Sequence, residues 1–430
     1  MKDLLFKYTE VIPILFLLYF RSIFSYPFLG FYLAFLLVFL TIKLHICKGI
    51  QNRPEPILSF SLMLMEISLV FLKYSLDYLG ILYPALIISM LLFILISIFL
   101  CKYNLTFICS LVLRYGGFVT LFVGLGLSII SSRRHDCIEI FKISNELLLM
   151  NLIVNLGKPK YRSINKISNI FLKAMIIFSP IIPILALLLI NHELGTIMVV
   201  IITDIFSLLL FSVIKKRKAL LISLIISIAS IIGIWIIFYR SPSKQVLLKT
   251  TLNNLTGHDF SNQLNRIFIR YKASDQLKLT NDIAFGFLFD ESKSKTEILI
   301  DMFTRFFSPT EYREIVSNET DSFTSSADYA FSLLTYTNPI FSISLAVSSA
   351  VVYSNALIHS YLKKHSTYVI PLSLLVTHLI HIGGGLLVFP FTGIPLPLLS
   401  YGKSSLGCTV FVLVLFSFSE NNNSNIANFE

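Results

Sequence analysis

Apolar runs of helix-spanning length recur along almost the whole of this chain. A helix rises 1.5 Å per residue, so roughly 20 apolar residues are needed to cross the hydrocarbon core of a bilayer. Runs near that length lie at about 10–27, 28–46, 57–76, 82–101, 105–130, 169–190, 195–214, 219–239, 329–357 and 367–389, with shorter ones at 145–157 and 404–419. Lipid offers backbone groups no hydrogen-bond partner, so segments of this kind span as helices that satisfy their own N–H and C=O groups. The expected fold is an all-α polytopic integral membrane protein of ten to twelve transmembrane helices. The first two runs are interrupted by Arg21 and Pro27 and read either as two spans or as one span plus an interfacial piece.

Composition agrees. Of 430 residues, 55% are hydrophobic and 14% charged, against about 25% charged in a soluble domain. This excludes a water-soluble globule, and equally a disordered, collagenous or disulfide-stapled chain. The net charge of +11 reads as basic loops on the cytoplasmic side rather than as a nucleic-acid surface. Cys47, Cys101, Cys109, Cys137 and Cys408 are dispersed singly, with no metal-ligand spacing, and read as small apolar residues. No short apolar stretch with a small-residue cleavage site opens the chain, so no cleaved signal peptide is expected.

Lys and Arg set the orientation. Lys2 and Lys7, Lys48 and Arg53, Lys102, then Lys158, Lys160, Arg162 and Lys166 occupy alternate loops, as do Lys215–Lys218 and Lys363 with Lys364. With twelve spans all of these fall on the cytoplasmic side, together with both termini. Arg133 and Arg134 fall on the outer side, against the trend. The chain divides into N-terminal membrane helices (1–104), a membrane core (105–239), an extracytoplasmic loop (240–328), C-terminal membrane helices (329–419) and a polar, disordered cytoplasmic tail (420–430).

Between 240 and 330 the apolar pattern breaks. This segment holds 12 of the 24 acidic residues and 11 of the 35 Lys and Arg, so it is nearly neutral while the rest of the chain carries +12. It reads as one large outer loop with helices of its own. Ser308-Pro309-Thr310-Glu311 has the order of an N-cap, a proline at the first helical position and a capping-box glutamate. Ile298, Leu299, Met302 and Phe306 recur at helical spacing, as in a helix lying on the membrane surface or on the bundle.

Ionisable residues within spans are costly and so point to function or to internal pairing. Glu66, Arg114 and Asp204 stand inside apolar runs, and Glu146 opens the short one. Pairing of Glu66, Arg114 and Asp204 with one another is the simplest structural account. At 389–405, FPFTGIPLPLLSYGKSS, prolines 390, 395 and 397 with Gly393 and Gly402 force irregular backbone at the end of a span. Such backbone is tolerated at membrane depth where it lines a cavity; otherwise it is an interfacial turn.

Within that stretch TGIPLPLLSYGKSS (392–405) resembles the C-terminal signature of the SEDS family of bacterial peptidoglycan polymerases, the FtsW, RodA and SpoVE group. The family form is close to TG(I/V)xLPF(I/V)SYGGSS; Leu398, Leu399 and Lys403 depart from it. NHELGT (191–196) resembles QPDLGT. SSRRHDCIEIFKISNELL (131–148) resembles GA(R/K)RW…FQPSE, with Glu146 at its glutamate and Leu149 where the family has lysine. HIGGGLLVFPFTG (381–393) is similar to NiGmvlGllPvtG, with His381 at the Asn position. TNDIAFGFLFDE (280–291) resembles HTDFIFAVIGEE, whose Asp is the family's proposed catalytic residue and corresponds to Asp282. The Gly-rich segment that usually precedes that Asp is absent, and about 35–40 residues near 292–328 are inserted.

The resemblance implies a peptidoglycan glycosyltransferase in the bacterial inner membrane, polymerising lipid II with inversion and releasing undecaprenyl pyrophosphate. Asp282 would be the general base on the sugar hydroxyl. Arg133 and Arg134 would hold the pyrophosphate, since arginine forks match phosphate oxygens. Lys403 adds a positive charge where the family has glycine, and Glu146, His381 and Ser400 complete the substrate-binding set. No cofactor or protein metal site is expected beyond a divalent cation that the pyrophosphate itself could carry. The implied partner is a class B penicillin-binding protein, a single-span transpeptidase, with no nucleic acid. Division and elongation roles are not separable on these motifs. A lipid-linked precursor flippase or transporter would use a similar cavity, and a non-catalytic SEDS-like scaffold would tolerate the departures.

Overall fold

Two central helices meet the packing demand of a membrane bundle in a similar way: they are buried nearly all round. The computed structural model describes residues 111–130, 135–157, 181–191, 193–215, 292–307 and 338–385, with shorter runs and single positions between 221 and 416. Its regular elements are helical. They belong to one compact unit formed by Val112–Pro309 and Phe331–Ile394 with Ala427–Glu430; Met1–Leu111, Thr310–Ala330 and Pro395–Ile426 form a second. The N-terminal spans, Glu66 and the Ser308–Glu311 cap lie outside the described residues.

A π-helical turn, Val112–Gly116, leads into α1, Gly117–Ile130. A π turn widens the helix and leaves carbonyls out of register with the α ladder. Here Asn151 Nδ2 donates to the Arg114 carbonyl at 2.7 Å and Thr120 Oγ1 to the Gly116 carbonyl at 2.7 Å. Helix α2, His135–Gly157, has 23 residues. Only its second half was legible as an apolar run (145–157), because His135, Asp136, Glu139 and Lys142 interrupt the first. Eight consecutive residues, Ile143–Met150, are nonetheless buried, which marks a helix enclosed on every side.

Helices α1 and α2 touch through glycine. A Cβ on Gly117 would lie 2.7 Å from Leu148 Cγ and 2.9 Å from its backbone nitrogen, and one on Gly124 would lie 2.7 Å from Phe141 Cε1. The backbones therefore approach closely enough for Ser144 Oγ to donate to the Gly117 carbonyl at 2.6 Å. Small residues serve this purpose in membranes, where lipid gives no hydrophobic drive to helix association and dispersion contacts decide. On its other side α1 exposes Phe118, Val119, Phe122, Val123 and Leu127, the pattern of a lipid-facing surface.

Helix α3, Ile182–Ile190, carries a proline in its first turn and ends at Asn191, whose amide donates to the Leu187 carbonyl at 2.8 Å. Glu193 stands at the N-cap position of α4, Leu194–Ile214, without a side-chain cap bond, and Leu194-Gly195-Thr196 of the NHELGT stretch form the helix's first turn. Helix α5, Lys295–Phe307, is the amphipathic helix expected from Ile298, Leu299, Met302 and Phe306. It packs on α6, Pro339–Leu362. A Schellman motif closes α6: His365 N–H bonds the Ser360 carbonyl and Lys364 N–H the Tyr361 carbonyl, with Lys364 at φ 59. A 3₁₀ turn, Ser366–Tyr368, follows, and then α7, Val369–Gly385, in which 14 of 17 residues are buried. Val199 of α4 packs with Leu372, Val376 and Ile380 of α7 and with Ile394 in one apolar core. Among the described residues three stretches, Leu194–Ile214, Ser342–Leu362 and Ser366–Gly385, are long and apolar enough to cross a membrane.

Helix α5 begins with a capping box. Ser294 N–H and Oγ donate to Glu297 Oε2 at 2.7 and 2.9 Å, and Glu297 N–H returns a bond to Ser294 Oγ at 3.2 Å. These bonds to its charged form, from the Ser294 backbone first, hold the Glu297 carboxyl below its ordinary value. A depressed carboxyl stabilises the fold above its unfolded-state value and loses that contribution as pH falls through the folded-state value. Amide exchange in the first turn of α5 is therefore expected to accelerate on acidification in the wild type, and to be fast and nearly pH-independent, after correction for intrinsic exchange, in Glu297→Ala.

The glycine seam gives a second expectation. Gly117→Ala should lower stability in detergent by about 1–3 kcal/mol, because backbone and a branched side chain must both give way. A Cβ on Gly126 would meet nothing within 4 Å, so Gly126→Ala should raise stability by about 0.5–1 kcal/mol. Equal melting shifts in the two variants would contradict a close-packed seam.

Candidate functional site

The best-formed polar site lies where α2, α4 and α7 meet. Asn145 and Glu146 come from α2, Asp204 from α4 and Ser373 from α7. All four are 3% exposed or less. Asn145 Nδ2 donates to Asp204 Oδ1 at 2.8 Å, and Ser373 Oγ donates to Glu146 Oε1. Adjacent residues on α2 thus tie it to two different helices. Thr377 Oγ1 bonds the Ser373 carbonyl at 2.7 Å, and Tyr368 OH donates to the Ser207 carbonyl of α4 at 2.6 Å. The junction is therefore pinned on both sides of the carboxyl groups.

This arrangement corrects one expectation from the sequence. Asp204 is held by Asn145, not by Arg114. Arg114 lies in the π turn, exposed, with its guanidinium 5.9 Å from the Tyr115 ring centroid. The physical reason is geometric: the α1–α2 glycine seam sets the π turn against Asn151, whereas α4 meets α2 at Asn145. An uncharged amide gives no signal in a hydropathy profile, so Asn145 and Ser373 were not legible as partners. A polar pair, Asn145-Glu146, in an apolar run was the one available hint.

A second cluster connects α6 and α7. Tyr353, fully buried, meets the His378 ring edge-on at 5.9 Å, and His378 Nε2 lies 3.0 Å from the Ala346 carbonyl. One turn on, His381 is buried with both ring nitrogens engaged by backbone. Its Nδ1 donates to the Ile394 carbonyl, and its Nε2 accepts from Phe331 N–H at 3.4 Å. That donor–acceptor pairing fixes the neutral Nδ1–H tautomer. Ile394 lies outside the regular helices, so His381 supplies its carbonyl with a partner that no helix ladder provides.

Among the residues singled out in the sequence, Glu146 and His381 fall in these two clusters. Asp282, Arg133, Arg134, Ser400 and Lys403 lie outside the described residues. Glu193, Leu194, Gly195 and Thr196 form the start of α4, with Gly195 and Thr196 buried.

No family model matches the chain, and no curated protein matches it. Solved structures do. One, described as "Structural coordination of polymerization and crosslinking by a peptidoglycan synthase complex", contains a chain that superposes with a TM-score of 0.56 at 15% sequence identity, covering 86% of this chain and 98% of that one. At that identity the likeness is one of fold, and it extends over nearly the whole of both chains.

The backbone role of His381 can be measured. His381→Leu strands the Ile394 carbonyl in a buried site, at about 1–3 kcal/mol, and removes the bond from the Phe331 N–H. His381→Asn, which keeps a donor and an acceptor, should recover part of that loss. Stability in the Leu variant equal to wild type would show that the two bonds do not hold the segment.

Proposed function

We propose that this protein is a membrane-embedded peptidoglycan glycosyltransferase that polymerises lipid II, a divergent member of the SEDS family. The observation that carries the reading is the motif TGIPLPLLSYGKSS (392–405), found in a chain whose fold is like that of a chain in a peptidoglycan synthase complex. The remaining motifs occur in the family's order along the sequence.

In this reading the sugar 4-hydroxyl of one lipid-linked unit attacks the anomeric carbon of the chain held on undecaprenyl pyrophosphate. The C–O bond to pyrophosphate breaks as the β-1,4 bond forms. Asp282 takes the hydroxyl proton, a role that requires a carboxylate within about 2.6–3.2 Å of that oxygen. The apolar run IAFGFLF that follows it is suited to holding a carboxylate at the edge of lipid. Arg133, Arg134 and Lys403 offset the charge on the departing pyrophosphate, with Ser400 as a neighbouring donor; a divalent cation on the pyrophosphate would share that work. His381 is a positioning residue, since its ring bonds are spent on the TGIP backbone and on Phe331. Glu146, bound to Ser373 at the helix junction, supports the bundle and so shapes the substrate cavity from behind. A class B transpeptidase is the expected partner in the inner membrane.

The test is polymerisation of labelled lipid II by the purified full chain, alone and with a candidate transpeptidase. Wild type is expected to yield glycan strands, and Asp282→Asn to lose at least about 10²-fold in rate. Unchanged activity in Asp282→Asn would remove Asp282 as the base. Lipid scrambling without polymer would indicate a flippase. Lipid II binding with neither activity would indicate a scaffold that has lost chemistry, the outcome favoured by the missing Gly-rich segment and by Leu149 in place of the family lysine.

A further inference from the structure

The α2–α4–α7 junction contains more acceptors than donors. Glu146 and Asp204 are 3% and 2% exposed, and among the described residues neither has an ion-pair partner within 4 Å. Each receives one described side-chain hydrogen bond, from Ser373 and Asn145 respectively, although a carboxylate offers about four lone-pair sites. Among the described residues Glu146 Oε2 and Asn145 Oδ1 have no partner, and neither do the hydroxyls of Thr203 and Ser207, which lie one turn apart on α4 and flank Asp204. The Asn145 amide is directed at Asp204 by its own hydrogen bond, so its orphaned oxygen lies beside that carboxyl. Ser207, fully buried, lies one turn along α4 from Asp204 on the same face.

An amide oxygen cannot donate, and two carboxylates at membrane depth are costly without a positive charge. Lys142, half-buried one turn before Glu146, outweighs Glu139 in its effect on Glu146 but forms no ion pair with it, and the charge acting on Asp204 is that of Glu146 itself, so the pair keeps an excess of negative charge. The donors are oxygens only, with no thiolate or imidazole, which suits a hard ion. They are fewer than the six to eight oxygens calcium takes, and magnesium retains several waters that a closed junction has to accommodate. We propose that the junction of Asn145, Glu146, Asp204 and Ser207 binds one sodium ion, and that the ion ties α2 to α4. The site is independent of the glycosyltransferase reading.

The full chain, purified in detergent, is melted in sodium chloride and in choline chloride at equal ionic strength, with potassium, magnesium and calcium chloride in parallel. Sodium is expected to raise the melting temperature of the wild type by about 4 °C over choline, in a saturable manner. Asp204→Asn and Glu146→Gln, which preserve shape, should melt alike in the two salts. Ser207→Ala, a milder change should either carboxyl variant fail to fold, should need about tenfold more sodium for half the shift. Identical wild-type melting in sodium and choline would overturn the proposal. So would a response to divalent ions alone, or a sodium shift retained in Ser207→Ala together with whichever carboxyl variants fold.

Discussion

Everything in this bundle depends on a constraint of lipid: a polar group that leaves water must find its partner inside the protein. Water on the outside of a soluble domain would forgive an unmet carbonyl, but the hydrocarbon core does not. The constraint explains why α2 is tied to α1, α4 and α7 by separate polar contacts. Asn151 and Ser144 bond the carbonyls of Arg114 and Gly117. Asn145 and Glu146 bond α4 and α7. The apolar contacts around them add packing but little direction, since lipid tails are as apolar as leucine. Polar ties and glycine contacts set the register that apolar packing then fills.

The same constraint accounts for what was legible in the sequence. Length and hydropathy located the spans at 195–214, 329–357 and 367–389 to within a turn or two at most ends, because a lipid-crossing helix leaves a run that cannot be hidden. Helix α2 was half hidden because a buried helix end tolerates Glu139 and Lys142 when they remain half-accessible, and such residues interrupt a hydropathy run without interrupting a helix. The Ser294-Lys-Thr-Glu297 capping box was readable in principle, as Ser followed three residues later by Glu before Ile298 and Leu299.

The polar partners were less legible. Charge drew the eye to Glu146, Asp204 and Arg114, and a charge-only view paired Asp204 with the arginine. The structure uses an amide instead, and leaves Arg114 at the exposed π turn. A neutral donor costs far less to bury than a guanidinium, so a bundle that must hold a carboxylate has reason to use one. Hydropathy cannot express that preference, and spacing along one helix says nothing of the helix opposite. His381 shows the converse. Its ring bonds in the structure go to the Ile394 carbonyl beyond α7's end and to the Phe331 N–H. A histidine carries one donor and one acceptor when neutral, which matches one backbone C=O and one backbone N–H.

Divergence and fold fit together on this view. At 15% identity few side chains are shared with the chain that superposes on this one, yet the fold persists over 86% of the length. A membrane bundle can exchange most lipid-facing residues freely, since their task is only to be apolar. It cannot exchange a close glycine contact or a buried donor without changing its partner. Leu149 illustrates the point: one turn from Glu146 it offers no charge, and the Glu146 carboxyl is bonded by Ser373 on another helix. Contacts between helices hold the carboxyls here, which makes the junction's stability depend on how α2, α4 and α7 are held together. The Ile394 carbonyl, fastened by His381 to the end of α7, is mechanically joined to that same junction, since Ser373 lies two turns along the same helix.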